Sequence, residues 1–418
     1  MIVDVAIIGG GAGGLAAALE ASKDNTNVVV LEREATLGGI LNQCIHNGFG
    51  LKVFDEELTG PEYATRYIDQ CAHLHCELGT TVLSIEKEDT MFVIKGSSQT
   101  KGLLTIKATS VVLSTGCYER TRGQIHLPGE RPKGIMPAGS AQRYLNIDGY
   151  LVGKNIFILG SGDIGLIMAR RMKLEGANVL GLAEIMPHSS GLTRNIVQCL
   201  EDFDIPLYLS HTVTNIKGKD TLESITIQRV DSNFKPIEGT EKHFEVDTLL
   251  LSVGLIPDTM VLETMPLKYH PKTQGTHVDH TFQTNIPGLF ACGNALHVHD
   301  LVDDVTLESQ KAGGYARRFV QKQLTKATHH IPLVAGNNVN YIIPSTIALE
   351  NFDEAIECAF RVTKKANKGE FQIIQNNTII KTQKATFLAP AEMEHITIDK
   401  THLQDQHSPI TIHLEVPS

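Results

Sequence analysis

A glycine-rich turn near the start of the chain constrains the fold more than any other feature. The apolar run 4–8 ends in Gly9-x-Gly11-x-x-Gly14, the first fingerprint, and an alanine-rich helical segment, 15–21, follows at once. This order of strand, tight turn and helix is that of a βαβ unit that binds a dinucleotide. Gly11 carries no side chain to keep a pyrophosphate away, and the N–H groups at the helix start favour phosphates. Glu32 ends the next strand, where a carboxylate can accept hydrogen bonds from ribose hydroxyls.

The same pattern recurs in the middle of the chain. A second apolar run leads into Gly160-x-Gly162-x-x-Gly165, the second fingerprint, and the strand after the following helix ends at Glu184. A lone glycine fingerprint is weak evidence because many tight turns use glycine, but two with matching surroundings are not expected by chance. The buried strand 248–255 mirrors 110–116, so the two units are expected to be repeats of one plan.

Length, charge and cysteine content exclude several classes of protein. A chain of 418 residues is expected to hold two to four domains. The net charge of −10 argues against nucleic acid or an acidic membrane surface as a partner, and no apolar run is long enough for a membrane span. We expect no signal peptide, since the first strand begins at Ile2. Seven cysteines without a C-x-x-C pair are expected to be mostly small buried side chains in a reducing cytoplasm.

Two polar stretches leave alternatives open. The loop-rich segment 117–149 carries Arg120, Arg122 and Arg131, which could form a solvated face or hold an anionic substrate or a partner protein. Further along, His297-x-His299 lies close to three aspartates and could suggest a metal. We expect no metal, because no third and fourth ligand at a metal-binding spacing is evident. We favour Asp300 as the cap of the following helix, with the other two aspartates in its first turn.

The composition changes from residue 331. Polar and apolar residues alternate in six segments separated by turn residues: 339–344, 355–362, 370–374, 378–384, 393–398 and 410–416. This alternation predicts a small antiparallel β-sandwich.

Four motifs in a fixed order give the chain a resemblance to a known family. They are Glu32-Arg33…Leu37-Gly38-Gly39, Ser114-Thr115-Gly116, the second fingerprint, and the segment 284–294 with its final Gly293-Asn294. Together they resemble the FAD- and pyridine-nucleotide-dependent oxidoreductases of the thioredoxin-reductase and disulfide-reductase kind, over residues 1 to about 325. The resemblance implies an α/β fold with two Rossmann-like dinucleotide-binding domains, one for FAD and one for NAD(P)H, and a discontinuous FAD domain. It places the FAD domain at 1–118 and 277–330, the NAD(P)H domain at 119–276 and the β-sandwich at 331–418.

The resemblance also assigns cofactor contacts. To FAD it assigns Gly9, Gly11, Gly14, Glu32, Arg33, Gly38, Gly39, Val82, Thr115, Gly116, Gly293, Asn294, Asp304 and Val305. To NAD it assigns Gly160, Gly162, Asp163, Ile164, Gly165, Glu184 and Gly254. The family usually has Asp where this chain has Asn294, but an amide can still donate to, or accept from, the cofactor.

Within this family, two segments are most similar to one branch. Residues 116–123 and 138–142 resemble flavoprotein subunits related to opine, proline and cyanide-forming amino-acid dehydrogenases. The branch includes subunits that accompany a glycerol-3-phosphate dehydrogenase-like flavoprotein. We therefore expect an oligomer or a complex subunit. Because the tail from Ile331 lacks fingerprints and paired catalytic groups, we expect it to serve assembly and to be dispensable for flavin chemistry.

The implied activity is hydride transfer between NADH and FAD, with electrons passing to or from a partner flavoprotein or a small acceptor. NADH is expected over NADPH, because the carboxylate of Glu184 would repel a 2′-phosphate. No redox cysteine pair lies between Gly116 and Gly160, so disulfide reduction is not expected. A non-catalytic, FAD-holding scaffold subunit remains a second possibility.

A third possibility depends on Cys44. The stretch after Gly38-Gly39 is similar to the disulfide reductases, but Ile40 stands where their first cysteine would lie, which places Cys44 as the flavin-side thiol of a pair without its partner. At a helix N-terminus such a thiol would have a lowered pKa and could serve an NADH oxidase or peroxidase. The alternative is that Cys44 only packs against the flavin.

Overall fold

The computed structural model describes residues 1–353 and 355–417. Over these residues the α-helices are α1 (Ala12–Ala21), α2 (Gly60–Gln70), α3 (Ala138–Asn146), α4 (Asp163–Leu174), α5 (Thr193–Cys199) and α6 (Val302–Val320). The strands up to residue 119 are β1 (Ile2–Ile8), β2 (Val28–Leu31), β3 (Asn47–Phe49), β4 (Leu58–Thr59), β5 (His75–Glu77), β6 (Thr80–Glu88), β7 (Met91–Ser98), β8 (Gly102–Leu113) and β9 (Cys117–Glu119). The strands from 135 to 291 are β10 (Ile135–Pro137), β11 (Asn155–Leu159), β12 (Asn178–Glu184), β13 (Leu207–Leu209), β14 (His211–Lys217), β15 (Ser224–Arg229), β16 (Lys242–Glu245), β17 (Thr248–Leu251), β18 (Leu255–Pro257) and β19 (Leu289–Ala291). The tail contains β20 (His330–Ala335), β21 (Val339–Ile343), β22 (Thr346–Ala348), β23 (Ala355–Val362), β24 (Ala366–Gln375), β25 (Thr378–Leu388), β26 (Met393–Asp399) and β27 (Ile410–Glu415). None of the described helices has the length and apolar character needed to cross a membrane.

The chain divides into two compact units. The first consists of Met1–Cys117 and Ile256–Ser418, and the second of Tyr118–Leu255. The second unit therefore ends earlier than the predicted boundary at 276. Leu262 and Met265 contribute to the core of the first unit, which explains why this segment belongs there.

The first unit is built on a sheet with the order β5-β2-β1-β8-β7-β6. β19 joins it beside the end of β8, with Phe290 opposite Val112. The strands β5, β2, β1, β8 and β19 run parallel, and their ends carry the first fingerprint and the segment around Gly293 to the same edge. This return of β19 confirms that the first dinucleotide-binding fold is discontinuous in sequence.

The helix α2 differs from a sequence expectation. Its periodicity predicts a helix over 63–78, but the helix begins at Gly60 behind a capping box of Thr59 and Glu62, and it ends at Gln70. The strand β5 replaces the predicted last turns. Its residues pair with β2, so backbone hydrogen bonding to the sheet outweighs helical periodicity there.

The second unit repeats the plan with a parallel sheet of order β10-β17-β11-β12-β13. The sequence pattern over 213–218, 224–230 and 243–246 predicts a β-meander after this sheet. The structure has an antiparallel sheet there, β14-β15-β16. Two Rossmann-like units are thus present, as the paired fingerprints indicate.

The tail forms two sheets around one apolar core. The sheets have the orders β22-β20-β27-β24-β25 and β21-β23-β26. The pairings are antiparallel except for β20 with β27, which run parallel. The tail belongs to the first unit, and its residues Tyr341 and Ile343 lie in the core of that unit.

Candidate cofactor sites

The first fingerprint forms a close turn between β1 and α1. Gly9 has φ of +106°, and a Cβ there would lie 2.4 Å from the carbonyl oxygen of Ser114, which directly follows β8. A Cβ on Gly14 would lie 1.8 Å from the Gly9 carbonyl oxygen, so only glycine permits this approach of helix to strand. A Cβ on Gly11, in contrast, would meet only the Gly39 Cα, at 3.9 Å. The turn is therefore tight on the protein side and open at Gly11.

A buried carboxylate is fixed beside this turn. Glu32, 5% exposed, accepts hydrogen bonds from the Gly10 N–H at 2.6 Å and from the Glu34 N–H at 2.8 Å. One bond goes to each carboxylate oxygen, which sets the plane of the group. Each oxygen keeps a second lone pair, which is the arrangement needed to accept from ribose hydroxyls.

The other motifs of the first unit gather at the same turn. The Gly38 N–H donates to the Gly10 carbonyl oxygen at 2.9 Å, and both Gly38 and Gly39 have positive φ. The methyl Cγ1 of Val305 would lie 3.3 Å from a Cβ on Gly13 and 3.1 Å from one on Gly293, so Val305 sits between the two glycine segments. Four stretches that are distant in sequence therefore line one site.

Other predicted FAD contacts have their own surroundings. Gly116 has φ of +77°, and no described atom outside the two neighbouring residues lies within 4 Å of the position that a Cβ would take there. The Thr115 hydroxyl donates a hydrogen bond to the Asp258 carbonyl oxygen. Asp304 lies in the first turn of α6 and forms an ion pair with Lys52 at 2.7 Å. None of the described contacts brings Arg33 or Val82 to the turn. Arg33 is largely exposed beside Glu34, and Val82 packs within β6 against the first core.

These features fit a bound dinucleotide. The N-terminus of α1 has no side-chain cap, so its first N–H groups are left for another acceptor. Gly11 leaves room beside that end of the helix. Glu32 directly follows β2, the position from which an acidic residue is expected to bind the ribose. A phosphate would be stabilised by these N–H groups and by the helix dipole.

The second fingerprint reproduces this arrangement in the second unit. Gly160 has φ of +93°, and a Cβ there would lie 2.0 Å from the Ser252 carbonyl oxygen at the end of β17. The helix α4 begins directly after Gly162, and its N-terminus has no side-chain cap. Glu184, 5% exposed, accepts from the Ser161 N–H at 3.0 Å and from the Met186 N–H at 3.0 Å. The two carboxylates thus have equivalent backbone partners in the two units.

The remaining predicted NAD residues have different roles in the structure. Asp163 begins α4, and its Oδ1 accepts from the Leu192 N–H at 2.8 Å and from the Asn195 amide at 2.6 Å, which fixes the loop after β12. Ile164 packs against the core of the second unit. Gly254 has φ of +105° and its carbonyl oxygen accepts from the Arg120 N–H at 3.0 Å.

Three residues without a predicted role lie beside the two fingerprints in the structure. Ser114 and Ser252 lie at equivalent positions against Gly9 and Gly160, and the hydroxyl of Ser252 also accepts from the Gly165 N–H at 3.1 Å. Their equivalence could have been found by aligning the two repeats. Glu119 accepts from the Gly139 N–H at the start of α3, and burial raises the pKa of its carboxyl group. No local motif marks Glu119, because its partner is twenty residues away.

The surroundings of Cys44 are the opposite of those that a reactive thiol needs. Cys44 is half-buried and follows the C-terminal end of a short 3-10 helix, Gly39–Gln43, where its Sγ donates to the Ile40 carbonyl oxygen at 3.3 Å. Burial raises the pKa of the Cys44 thiol to about 12. The expected helix N-terminus and lowered pKa are therefore wrong, because the helix precedes Cys44 and does not start at it.

Asp300 does not cap α6, so that sequence interpretation is also wrong. The helix starts after Leu301 without a side-chain cap, while Asp300 forms a partly buried ion pair with Arg361 of β23 and accepts from the Met393 N–H at 2.7 Å. Arg361 also donates to the Val298 carbonyl oxygen at 3.2 Å. Asp303 and Asp304 do lie in the first turn of α6, as expected.

Comparison with known proteins identifies the family. Residues 3–311 match the model of the pyridine nucleotide-disulphide oxidoreductases. The chain belongs to this family. Members of this family bind FAD and use NAD(P)H.

Individual relatives are distant. The chain is 22% identical over 302 residues to hydrogen cyanide synthase subunit HcnB of Pseudomonas protegens, a match that covers 66% of this chain and 61% of HcnB. It therefore spans less than two thirds of the length of that relative. It is 24% identical to a ferredoxin–NADP reductase of Picrophilus torridus, over 77% of this chain and 95% of the reductase. Among solved structures, thioredoxin reductase of T. acidophilum superposes with a TM-score of 0.63 at 24% identity, over 78% of this chain and 99% of the reductase. This superposition supports the fold.

Proposed function

We propose that this protein transfers hydride between NADH and FAD, and that it exchanges the electrons with a partner flavoprotein or a small acceptor. The observation that carries the proposal is the pair of fingerprints with equivalent carboxylates, Glu32 and Glu184, each held by backbone N–H groups. The absence of a cysteine pair between Gly116 and Gly160 argues against a disulfide as the acceptor.

Each residue contributes to binding and orientation. When bound, FAD supplies the hydride-accepting ring and NADH the hydride. The N–H groups at the starts of α1 and α4 would hold the phosphates, and Glu32 and Glu184 would accept from the adenosine ribose hydroxyls. Asn294 would contact FAD in place of the family's usual Asp. No protein acid or base is required for hydride transfer itself, and we assign none.

The branch resemblance supports a complex subunit as the physiological form. HcnB is named as a subunit of hydrogen cyanide synthase, and the ferredoxin–NADP reductase is named for a protein electron carrier. We propose a separate flavoprotein as the partner, with a glycerol-3-phosphate dehydrogenase-like subunit as the first to test, and the cytoplasm as the location.

The test is anaerobic mixing of the FAD-loaded protein with NADH. We expect the flavin absorbance to bleach within one turnover, and an added dye to restore it. Addition of the candidate partner flavoprotein should then accelerate steady-state NADH oxidation. A protein that retains FAD but is not reduced by NADH would be a scaffold, which is the competing function.

A further inference from the structure

A buried network of hydrogen bonds ends at Asn294, the residue that replaces the usual Asp of the family. The Oε2 atom of Glu308, on α6, lies 2.9 Å from the Nε2 of His297 and 3.3 Å from the Nε2 of His299. The side chains of the two histidines are 0% and 3% exposed, and that of Glu308 is 10% exposed. The other oxygen of Glu308 accepts from the Gly293 N–H at 2.7 Å, so the network includes the backbone of the predicted FAD contact.

The partners of His299 determine where its protons lie. Its Nδ1 faces the His297 carbonyl oxygen at 3.0 Å and the Oδ1 of Asn294 at 3.3 Å, and both are acceptors, so Nδ1 carries a hydrogen. Its Nε2 faces the Glu308 carboxylate. Without a second proton, two lone pairs would face each other in a buried site, at a large cost in free energy. A protonated His299 satisfies this contact, as an imidazolium paired with the carboxylate of Glu308.

The electrostatic balance of the cluster agrees with this assignment. Burial would lower the pKa of His299, but the attraction and hydrogen bond of Glu308 outweigh it, so the pKa is raised. Burial would likewise raise the pKa of Glu308, but the two histidines outweigh it and the pKa is lowered. Burial and repulsion from His299 lower the pKa of His297 to about 4, so His297 is neutral and donates from Nε2.

The same three side chains are close enough to be considered as ligands of a metal ion. A histidine that binds a metal almost always donates its other ring N–H to an acceptor. Among the described residues, the Nδ1 of His297 is buried without a hydrogen-bond partner, which would leave such an N–H unsatisfied. If His297 instead donates from Nε2 to Glu308, its Nδ1 needs no acceptor. The arrangement therefore favours a held proton over a metal.

Asn294 is oriented by both the backbone N–H and the ring of His299. Its Oδ1 accepts from the backbone N–H of His299 at 3.0 Å, a donor whose identity is fixed, so the oxygen end of the amide points to His299. The NH₂ end then points away from His299, and Nδ2 has the Cys117 Sγ as a distant acceptor at 3.7 Å. A sulfur acceptor forms only a weak hydrogen bond, so this NH₂ group can bond a stronger acceptor.

We propose that His299 is a positioning residue of the FAD site, which turns the NH₂ group of Asn294 toward an oxygen of the cofactor. Asn294 then donates a hydrogen bond to the cofactor and carries no negative charge. The family's usual Asp, in contrast, is anionic and can only accept a hydrogen bond. A donor without negative charge favours the anionic reduced flavin relative to an Asp at the same place. This inference rests on FAD binding at the first fingerprint, which the proposed function shares.

Other charged groups surround the pair formed by His299 and Glu308. A cavity of about 60 Å³ beside His299 and Glu308 is lined by Asp304 and Lys311 of α6 and by Glu357 and His395 of the tail. Arg361 acts on His297 from β23. Because Glu308 raises the pKa of His299, the proton of His299 is lost only as the pH rises through that raised pKa. The affinity for FAD should therefore fall toward alkaline pH.

The first experiment titrates apoprotein with FAD between neutral and alkaline pH. We expect the wild type to lose affinity as the pH rises. His299→Gln should bind FAD about tenfold more weakly at neutral pH, as expected for the loss of one charge-assisted hydrogen bond, and without the pH dependence. His297→Gln, in the same cluster, should keep the pH dependence. If His299→Gln binds FAD with the affinity and pH dependence of the wild type, the proposal is wrong.

A second variant restores the residue usual in the family. Asn294→Asp is nearly isosteric and can still accept from His299, so it should fold and bind oxidised FAD. We expect its preference for reduced over oxidised flavin to fall about tenfold, which lowers the two-electron midpoint potential by about 30 mV. An unchanged potential would overturn the proposal. A protein that NADH cannot reduce would contradict only the proposed function, since potential and affinity are measured without NADH.

Discussion

Two glycines of the first fingerprint are expected to respond differently to the same substitution. A Cβ on Gly11 meets only Gly39 Cα at 3.9 Å, while one on Gly14 would lie 1.8 Å from the Gly9 carbonyl oxygen. Gly11→Val should therefore fold but be purified without FAD, as a colourless protein, because the valine side chain occupies the position of the pyrophosphate. Gly14→Val should instead lose stability. Flavin absorbance and thermal denaturation separate the two effects, and full flavin occupancy in Gly11→Val would contradict the assigned FAD site.

The choice between nucleotides is expected to depend on Glu184. Its carboxylate is fixed by Ser161 and Met186, and it would repel a 2′-phosphate at the ribose position. We expect kcat/KM for NADH to exceed that for NADPH, and Glu184→Gln to reduce the ratio about tenfold, a change of about 1.4 kcal/mol. Glu175→Gln, which removes an ion pair with Arg171 on α4, should leave the ratio unchanged. Equal values for both nucleotides in the wild type would contradict this prediction.

Cys44 is expected to contribute packing and not redox chemistry. Burial raises the pKa of its thiol to about 12, so the reactive thiolate is scarce at neutral pH. Cys44→Ser should therefore match the wild type in flavin spectrum, in NADH-dependent dye reduction and in peroxide turnover. A long-wavelength thiolate-to-flavin band in the wild type that is absent from Cys44→Ser would restore the oxidase or peroxidase hypothesis.

At the scale of elements, contacts between the tail and the loop before α6 are strong enough to test. Arg361 on β23 and Asp300 are 16% and 14% exposed, and Arg361 also donates to Tyr341 Oη at 3.1 Å. Arg361→Ala removes the cation that pairs with the largely buried carboxylate of Asp300, so we expect a loss of about 3–5 kcal/mol in the free energy of unfolding. Lys311→Ala breaks an exposed pair between α6 and the same strand, β23, and should cost less than about 1 kcal/mol. Urea denaturation measures both, and equal small losses would show that the buried pair stabilises little.

Sequence reasoning succeeded where the signal is local and failed where the partner is distant. The fingerprints, Glu32 and Glu184 are predictable, because a turn and the next strand end lie within about 25 residues of one another in each repeat. The role of Asp300 is not, because Arg361 lies 61 positions away and a capping aspartate has the same sequence context. Strand β5 was missed for a similar reason: its partner β2 decides its conformation, not its own periodicity. The network around His299 combines three elements, and the sequence shows only the spacing of its histidines.

At the scale of the whole molecule, the expectation that the tail is dispensable needs revision. His280 bonds to the tail twice, facing the Asn351 carbonyl oxygen at 3.1 Å and accepting from the Ala348 N–H at 3.1 Å. Tyr341 and Ile343 belong to the core of the first unit. Burial of each of these two apolar side chains contributes about 1.5–3 kcal/mol to the free energy of unfolding, and the Arg361 ion pair adds to this. The tail is thus part of the first unit and not an appendage of it.

We therefore expect the fragment 1–330 to lose the fold of the first unit. Without the tail, the apolar surface that Tyr341 and Ile343 cover and the buried carboxylate of Asp300 face water or remain unpaired. The fragment should be recovered mainly as insoluble protein, and any soluble fraction should contain little FAD. The matched control is Phe387→Ser on the edge strand β25, which changes a side chain that is 79% exposed and should keep full flavin occupancy. A soluble, yellow fragment that reduces dyes with NADH would show that the tail serves assembly alone, as the sequence suggested, and that the contacts of Arg361 and His280 are not required for the cofactor site.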